Sequence, residues 1–192
     1  MTKKRSEPEE SMETIASAAL RLVRRQGAAG VTVGAVADEA GCAKGLVHYH
    51  FKTKQRLWDA AAQKLSDERN RSWAAAFEAS SPKAAIQATW DLLVDESVNG
   101  TTLAWTTMFG PGGLVSDQAV SSAVSDFGDT LSRSGQAMLE RLGMRMRIPA
   151  SEIGLLLGAV VTGAGFQLLA GIKRDDLEGA YAAAWLGILA LT

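Results

Sequence analysis

Residues 32–54 read TVGAVADEAGCAKGLVHYHFKTK, and this segment contains two short helical patterns separated by a turn. Thr32 is a residue type that caps helices, and the apolar residues after it recur at helical spacing until Gly41. After a turn of about three residues, a second short helix is predicted over 44–51. Two short helices joined by a tight turn predict a helix-turn-helix unit, whose second helix enters the DNA major groove.

The helical pattern continues on both sides of this unit. Apolar residues from Ile15 to Val23 fall on one helical face, and Thr53 is placed to cap a helix that begins at Lys54. No alternating apolar run is long enough to form a strand. The sequence therefore predicts an all-α fold of about nine helices, in which an N-terminal three-helix domain is followed by a C-terminal helical domain.

Composition and charge limit the possible classes of protein. The chain has 192 residues and a single cysteine, Cys42, so it cannot form an intrachain disulfide, and we expect a reducing, cytoplasmic location. The net charge is −1, yet residues 1–58 carry ten Lys/Arg and six Asp/Glu. A basic N-terminal third on an acidic body is typical of a protein that contacts a polyanion with one end.

Two segments have some features of membrane or export signals. The basic residues at positions 3–5 are followed by acidic residues and no apolar run, so a signal peptide is not predicted. Residues 153–172 contain no charge and are long enough to span a bilayer, but five glycines and Gln167 interrupt them. We therefore expect a buried helix there, and no membrane partner.

The segment 32–54 also resembles the signature of the TetR family of bacterial transcriptional regulators. That signature has a Thr, an Ile/Val-Ala pair, the run Ala-Gly-Val-Ser-Lys-Gly-Thr-Leu-Tyr-His-Tyr-Phe, and a Lys opening the next helix. The resemblance covers about residues 10–65, beyond which only the helical layout agrees. It implies a DNA-binding domain over 10–56 with its motif at 32–51, and a ligand-binding and dimerisation domain over 57–192. Residues 1–9 are polar and charged, and we expect them to form a disordered arm.

The resemblance also implies roles for individual residues. Thr32 would cap the second helix and contact a phosphate, and His50 and Lys54 would contact the DNA backbone. The groove-facing positions are Lys44, Gly45, Leu46, His48 and Tyr49.

This sequence departs from the signature at several of these positions. Ala43 replaces a capping Ser, Leu46 replaces Thr, and the usual aromatic–His–aromatic triplet becomes His48-Tyr49-His50. The spacing and the apolar frame are intact, so the DNA-binding interpretation stands. The operator sequence does not carry over, because residues that read bases have changed.

The residues of this segment also allow interpretations other than DNA binding. His48 and His50 lie about 200° apart around a helix, so they cannot hold one ion together, and no metal or cofactor is expected. Tyr49 could be an ordinary surface aromatic, and Lys52, Lys54 and Arg56 could form a solvated helix start. No catalytic triad, P-loop or dinucleotide fingerprint appears, so no enzymatic activity is predicted.

The C-terminal part offers two weaker signals. The resemblance implies a cavity for a small-molecule effector, and four residues near glycine-rich connections suit its lining, although they could equally form plain core: Trp90, Trp105, Met108 and Phe109. The last two helices are rich in small and apolar residues, which predicts a four-helix homodimer interface unless an intramolecular core buries them. Candidate interface residues are Gly154, Gly158, Phe166, Ala184 and Trp185.

Together these features predict a homodimeric transcriptional regulator. We expect it to be a repressor that leaves a palindromic operator in double-stranded DNA when a small molecule binds. The alternative is an all-helical small-molecule-binding or enzymatic protein with a vestigial DNA module.

Overall fold

A computed structural model describes residues 7–110, 112–145 and 147–190, and over these residues the chain is built from helices and connecting turns without a strand. The prediction of an all-α fold is confirmed. The described part contains nine helices: α1 (Glu7–Gln26), α2 (Val33–Ala40), α3 (Lys44–Phe51), α4 (Lys54–Ala76), α5 (Pro82–Val98), α6 (Thr101–Phe109), α7 (Asp117–Arg141), α8 (Ala150–Leu169) and α9 (Arg174–Leu189).

Most of the disordered arm predicted over 1–9 lies outside the described residues. Its last three residues are described, and they are helical because α1 begins at Glu7.

Several helix starts follow from single side chains. The hydroxyl of Thr32 accepts a hydrogen bond from the N–H of Ala35 at 3.1 Å, and that of Thr53 accepts one from Arg56 at 3.2 Å. Ser81 caps α5 in the same way and Pro82 occupies its first turn, where the missing N–H of proline costs nothing. The helix starts predicted from Thr32 and Thr53 are therefore confirmed.

The first compact unit consists of residues up to Ser66 together with Leu103–Val120. The later segment is tied to the earlier one by hydrogen bonds that local sequence patterns do not reveal. The N–H of Ser116 donates to Asp59 at 3.0 Å, and the side-chain amide of Gln55 donates to the carbonyl of Leu114 at 2.9 Å. The N–H of Ala28 donates to the hydroxyl of Thr107 at 3.1 Å. The unit thus extends beyond the boundary expected after residue 56.

The second compact unit consists of Asp67–Thr102 and the chain after residue 120. A buried ion pair lies in its core, with the Arg69 Nε atom 3.0 Å from a Glu96 carboxylate oxygen. The indole N–H of Trp73 donates to the same carboxylate at 2.8 Å, and the Phe127 ring lies 4.1 Å from the guanidinium carbon. Burial lowers the pKa of Arg69, and the charge of Glu96 opposes that effect.

Helix α8 corrects the expectation of a buried helix over 153–172. It ends at Leu169, and only 28% of its most apolar window is buried in the single chain. Its inner face packs against α7 so closely that a Cβ on Gly154 would come within 2.9 Å of Ser132 Cβ. The helix is long and apolar enough to cross a membrane, but one such helix is weak evidence, because core helices of soluble proteins share these properties.

Candidate nucleic-acid interface

Helix α3 presents one face to solvent because its other face is fixed in the core. Val47 and Phe51, four residues apart, are buried, and α3 packs on both α1 and α2. The opposite face of α3 is exposed. It carries the five residues expected to face the groove: Lys44, Gly45, Leu46, His48 and Tyr49.

The turn between α2 and α3 has the geometry that a helix-turn-helix requires. Gly41 ends α2 with φ 66°, a conformation that costs glycine no Cβ clash, and its N–H donates to the carbonyl of Asp38 at 3.1 Å. Cys42, the second residue of this turn, is half-buried. Ala43 provides no side-chain cap for α3, as its difference from the family signature implies.

Two arginines of α1 hold α2 from its exposed side. Arg21 Nε lies 2.8 Å from a carboxylate oxygen of Glu39, and Arg25 contacts the other oxygen of the same carboxylate. The hydrogen bonds from Arg25 and then Arg21 lower the pKa of Glu39 from 4.5 to about 2. Sequence reasoning missed this pair of contacts, although the spacing of Arg21 and Arg25 by one helical turn could have indicated it.

The exposed ring of Tyr49 has two neighbours. Lys52 Nζ lies 4.7 Å from its centroid, and the ring of His50 lies 5.2 Å away in an edge-on arrangement. His50 is half-buried, whereas Tyr49 remains 66% exposed. Tyr49 is therefore both accessible and held in place.

Thr32 and Lys54, the first and last of the predicted DNA contacts in the sequence, lie outside α3. Lys54 is the first residue of α4, and its ammonium is 5.8 Å from the centroid of the buried Trp58 ring. The hydroxyl of Thr32 already accepts the capping hydrogen bond of α2. The eight predicted residues thus belong to the α2–α3 unit and the start of α4, all within the first compact unit.

The four candidate pocket residues are all buried but belong to different units. Trp90 lies in the second unit, where its ring is 5.2 Å from that of Tyr181. Trp105, Met108 and Phe109 lie in the first unit, with the rings of Trp105 and Phe109 4.5 Å apart.

An open cleft of about 720 Å³ lies elsewhere, where α7 ends and α8 begins. Leu139, Met144 and Ile148 give it apolar walls, and Glu140 and Arg145 add charge. None of the four candidate pocket residues lines this cleft.

The candidate interface residues divide into exposed and buried ones. Phe166 is 63% exposed, and Gly158 and Ala184 are half-buried. Gly154 and Trp185 instead lie in the core of the single chain, where the Trp185 ring is 5.5 Å from that of Phe77. Within the described ranges no group of three or more His, Cys, Asp or Glu side chains could hold a metal ion.

Comparison with known proteins supports the same interpretation. Residues 15–61 match the model of a family described as bacterial regulatory proteins, tetR family. A TetR transcription regulator from Haloarcula marismortui superimposes with TM-score 0.73 at 24% identity, covering 95% of this chain and 98% of that one. A TetR-family regulator from Pectobacterium atrosepticum gives TM-score 0.73 at 17% identity, with 98% and 97% covered. One from Streptomyces coelicolor gives 0.70 at 21%, with 95% and 81% covered.

The family model covers the helix-turn-helix unit, and the solved regulators share the fold of nearly the whole chain. Residues 15–61 thus form a helix-turn-helix domain of the tetR type, and the chain shares the fold of solved TetR-family regulators.

Proposed function

We propose that this protein is a homodimeric, cytoplasmic bacterial repressor that leaves a palindromic operator when a small molecule binds. The orientation of α3 supports the proposal that the protein recognises DNA. Val47 and Phe51 are buried on its inner face, while its outer face is exposed to solvent. A helix held in this way can insert rigidly into the major groove.

The side chains on that outer face suit contacts with bases and phosphates. His48 and Tyr49 carry polar groups and flat rings, and Lys44 adds a positive charge at the start of the helix. One such unit reads only a few base pairs, so a single genomic site requires two units about 34–36 Å apart.

The outer face of α8 and α9 supports the proposal of a homodimer. Leu155, Phe166 and Leu186 are 66%, 63% and 61% exposed, and small residues such as Ala159 and Gly163 lie between the two α8 side chains. Large apolar side chains on neighbouring helices are rarely left in water. A second copy of the same face would bury them in a four-helix contact.

We place the effector in the second compact unit, near Trp90 and Tyr181. The indole N–H of Trp90 is buried without a hydrogen-bond partner among the described residues. Leaving a buried donor unsatisfied costs about 1–3 kcal/mol, so a ligand that supplies acceptors would relieve this cost. Trp105, Met108 and Phe109 belong to the first unit and are not part of this proposed site.

Release would then be a shift between populations. A molecule that binds better to a dimer whose recognition helices are wrongly spaced would draw the protein away from DNA. Its differential affinity for the two forms sets the size of the effect.

The experiment that tests operator recognition is selection of bound duplexes from a random pool, followed by gel shifts at several salt concentrations. We expect an enriched palindrome whose affinity exceeds that of random duplex and falls steeply with salt. No enrichment, together with weak binding of every duplex, would favour the alternative of an all-helical small-molecule-binding or enzymatic protein with a vestigial DNA module. Mass spectrometry of small molecules that co-purify would then identify the effector, whose addition should release the selected duplex.

A further inference from the structure

Lys52 has an unusual backbone conformation directly after the recognition helix. Its φ is 60° and its ψ is −42°, and among the residues that the structure describes it is the one non-glycine residue with positive φ. Its N–H donates to the carbonyl of His48 at 2.9 Å and closes the last turn of α3. A residue with a Cβ is strained in this region, whereas glycine is not. The presence of lysine here therefore requires a reason beyond the turn itself.

The side chain of Lys52 offers such a reason, since it extends back to Tyr49. The ammonium lies 4.7 Å from the centroid of the tyrosine ring, within the range of a cation–π interaction. The ring of His50 meets the same tyrosine at 79°, with centroids 5.2 Å apart. Tyr49 is thus held by Lys52 and His50 although two-thirds of its surface faces solvent.

We propose that Lys52 is a positioning residue that holds Tyr49 in the orientation in which it reads the operator. An exposed tyrosine loses rotamer freedom when it binds DNA, and a ring that is already held loses less. The contribution should fall on sequence specificity more than on general affinity for DNA. The inference rests on the proposed operator recognition, and the cation–π contact of an exposed pair corresponds to about a two- to fivefold effect on binding.

The variants Lys52→Gly and Lys52→Arg distinguish the positioning role from the alternative roles of Lys52. The affinities of both variants are measured for the duplex that the unmodified protein selects from a random pool and for a random duplex. Lys52→Gly should keep or raise the midpoint of thermal unfolding, because it relieves the backbone, and yet lower the operator-to-random affinity ratio by about two- to fivefold. Lys52→Arg keeps a cation above the ring and should preserve the ratio. In a Tyr49→Ala background, Lys52→Gly should leave the ratio unchanged.

Three results would overturn the role of Lys52, and each has a distinct signature. In the first, Lys52→Gly weakens binding to both duplexes equally and reduces the slope of log affinity against log salt, each by more than the charge control Lys83→Ala does. Lys52 would then be a phosphate contact. An unchanged ratio in Lys52→Gly would make the strain a feature of the turn alone. If selection enriches no sequence, operator recognition itself fails, and the positioning role fails with it.

Discussion

At the scale of single residues, Tyr49 is the side chain whose loss should change sequence recognition most. It lies on the outer face of α3 and is 66% exposed in the free protein. We expect Tyr49→Ala to weaken binding to the selected operator by about 1–3 kcal/mol more than binding to random duplex. Tyr49→Phe, which keeps the ring, shows how much of the loss belongs to the hydroxyl. Equal losses on both duplexes would remove Tyr49 from the base-reading set.

Lys54 should behave differently because we assign it to the phosphate backbone. Its ammonium lies beside Trp58 at the first turn of α4, next to the recognition helix. Lys54→Ala should weaken binding to all duplexes by similar factors and reduce the slope of log affinity against log salt by about 1. Lys83→Ala, which removes an exposed lysine from the second unit, is the matched control. A loss confined to the operator would show that Lys54 reads sequence.

At the scale of elements, the contact between α1 and α2 makes the helix-turn-helix unit sensitive to acid. Arg25 and Arg21 lower the pKa of Glu39 to about 2, so this carboxylate binds protons less readily when folded than when unfolded. Its stabilising contribution is therefore fully present above the unfolded pKa of about 4.3 and is lost as the pH falls toward 2. We expect Glu39→Gln to lower the thermal midpoint at pH 6, with the difference from the unmodified protein shrinking at pH 3.

The matched control for this prediction is Asp38→Asn, which removes a neighbouring negative charge and keeps the contacts of Glu39 with the two arginines. High salt should reduce the effect of Glu39→Gln, since the arginines are half exposed. A constant difference between pH 6 and pH 3 would mean that Glu39 acts through packing and not through its charge.

The buried pair of Arg69 and Glu96 joins α4 to α5 within the second unit, and removing one partner should destabilise that unit strongly. Glu96→Ala leaves the buried guanidinium without its carboxylate and should cost about 3–5 kcal/mol in the free energy of unfolding. Replacing both residues by methionine removes both buried charges and should restore much of that loss. Urea unfolding of the three proteins measures both effects. A small loss in Glu96→Ala alone would show that water reaches Arg69.

The starts and ends of the helices could be predicted from the sequence, whereas contacts between residues far apart in the chain could not. Thr32, Thr53 and Gly41 act within four residues of themselves, so their roles as caps and stop are visible in the chain. The contact between Asp59 and Ser116 spans 57 residues, and nothing in the local pattern indicates it. The same limit explains why Trp90 was grouped with Trp105, which belongs to a different unit.

At the scale of the whole molecule, the sequence predicts that α8 and α9 are apolar, but it does not distinguish the side that packs inside the chain from the side that faces solvent. Small residues predict an interface on α8 and α9, but these small residues serve two purposes. Gly154 allows close packing against α7 inside the chain, whereas Gly163 has no neighbour near its Cβ position. Period-3.6 patterns give the faces of a helix, and only the fold tells which face the chain itself covers.

The exposed side of α8 therefore gives a sharper test of the dimer than its glycines do. Phe166→Arg changes a side chain that is 63% exposed, so the fold of the single chain should survive, as helicity by circular dichroism can verify. In a dimer the same arginine would be buried in an apolar contact beside its symmetry mate, which is strongly unfavourable. We expect the variant to sediment as a monomer, to lose binding to the full palindrome, and to keep the weak binding of one half-site. Val98→Arg places the same charge at an exposed apolar position on α5 and should leave the dimer intact. If the Phe166→Arg protein still sediments as a dimer and binds the palindrome normally, the two copies must meet through another surface, and the spacing of the recognition helices would have to be set there.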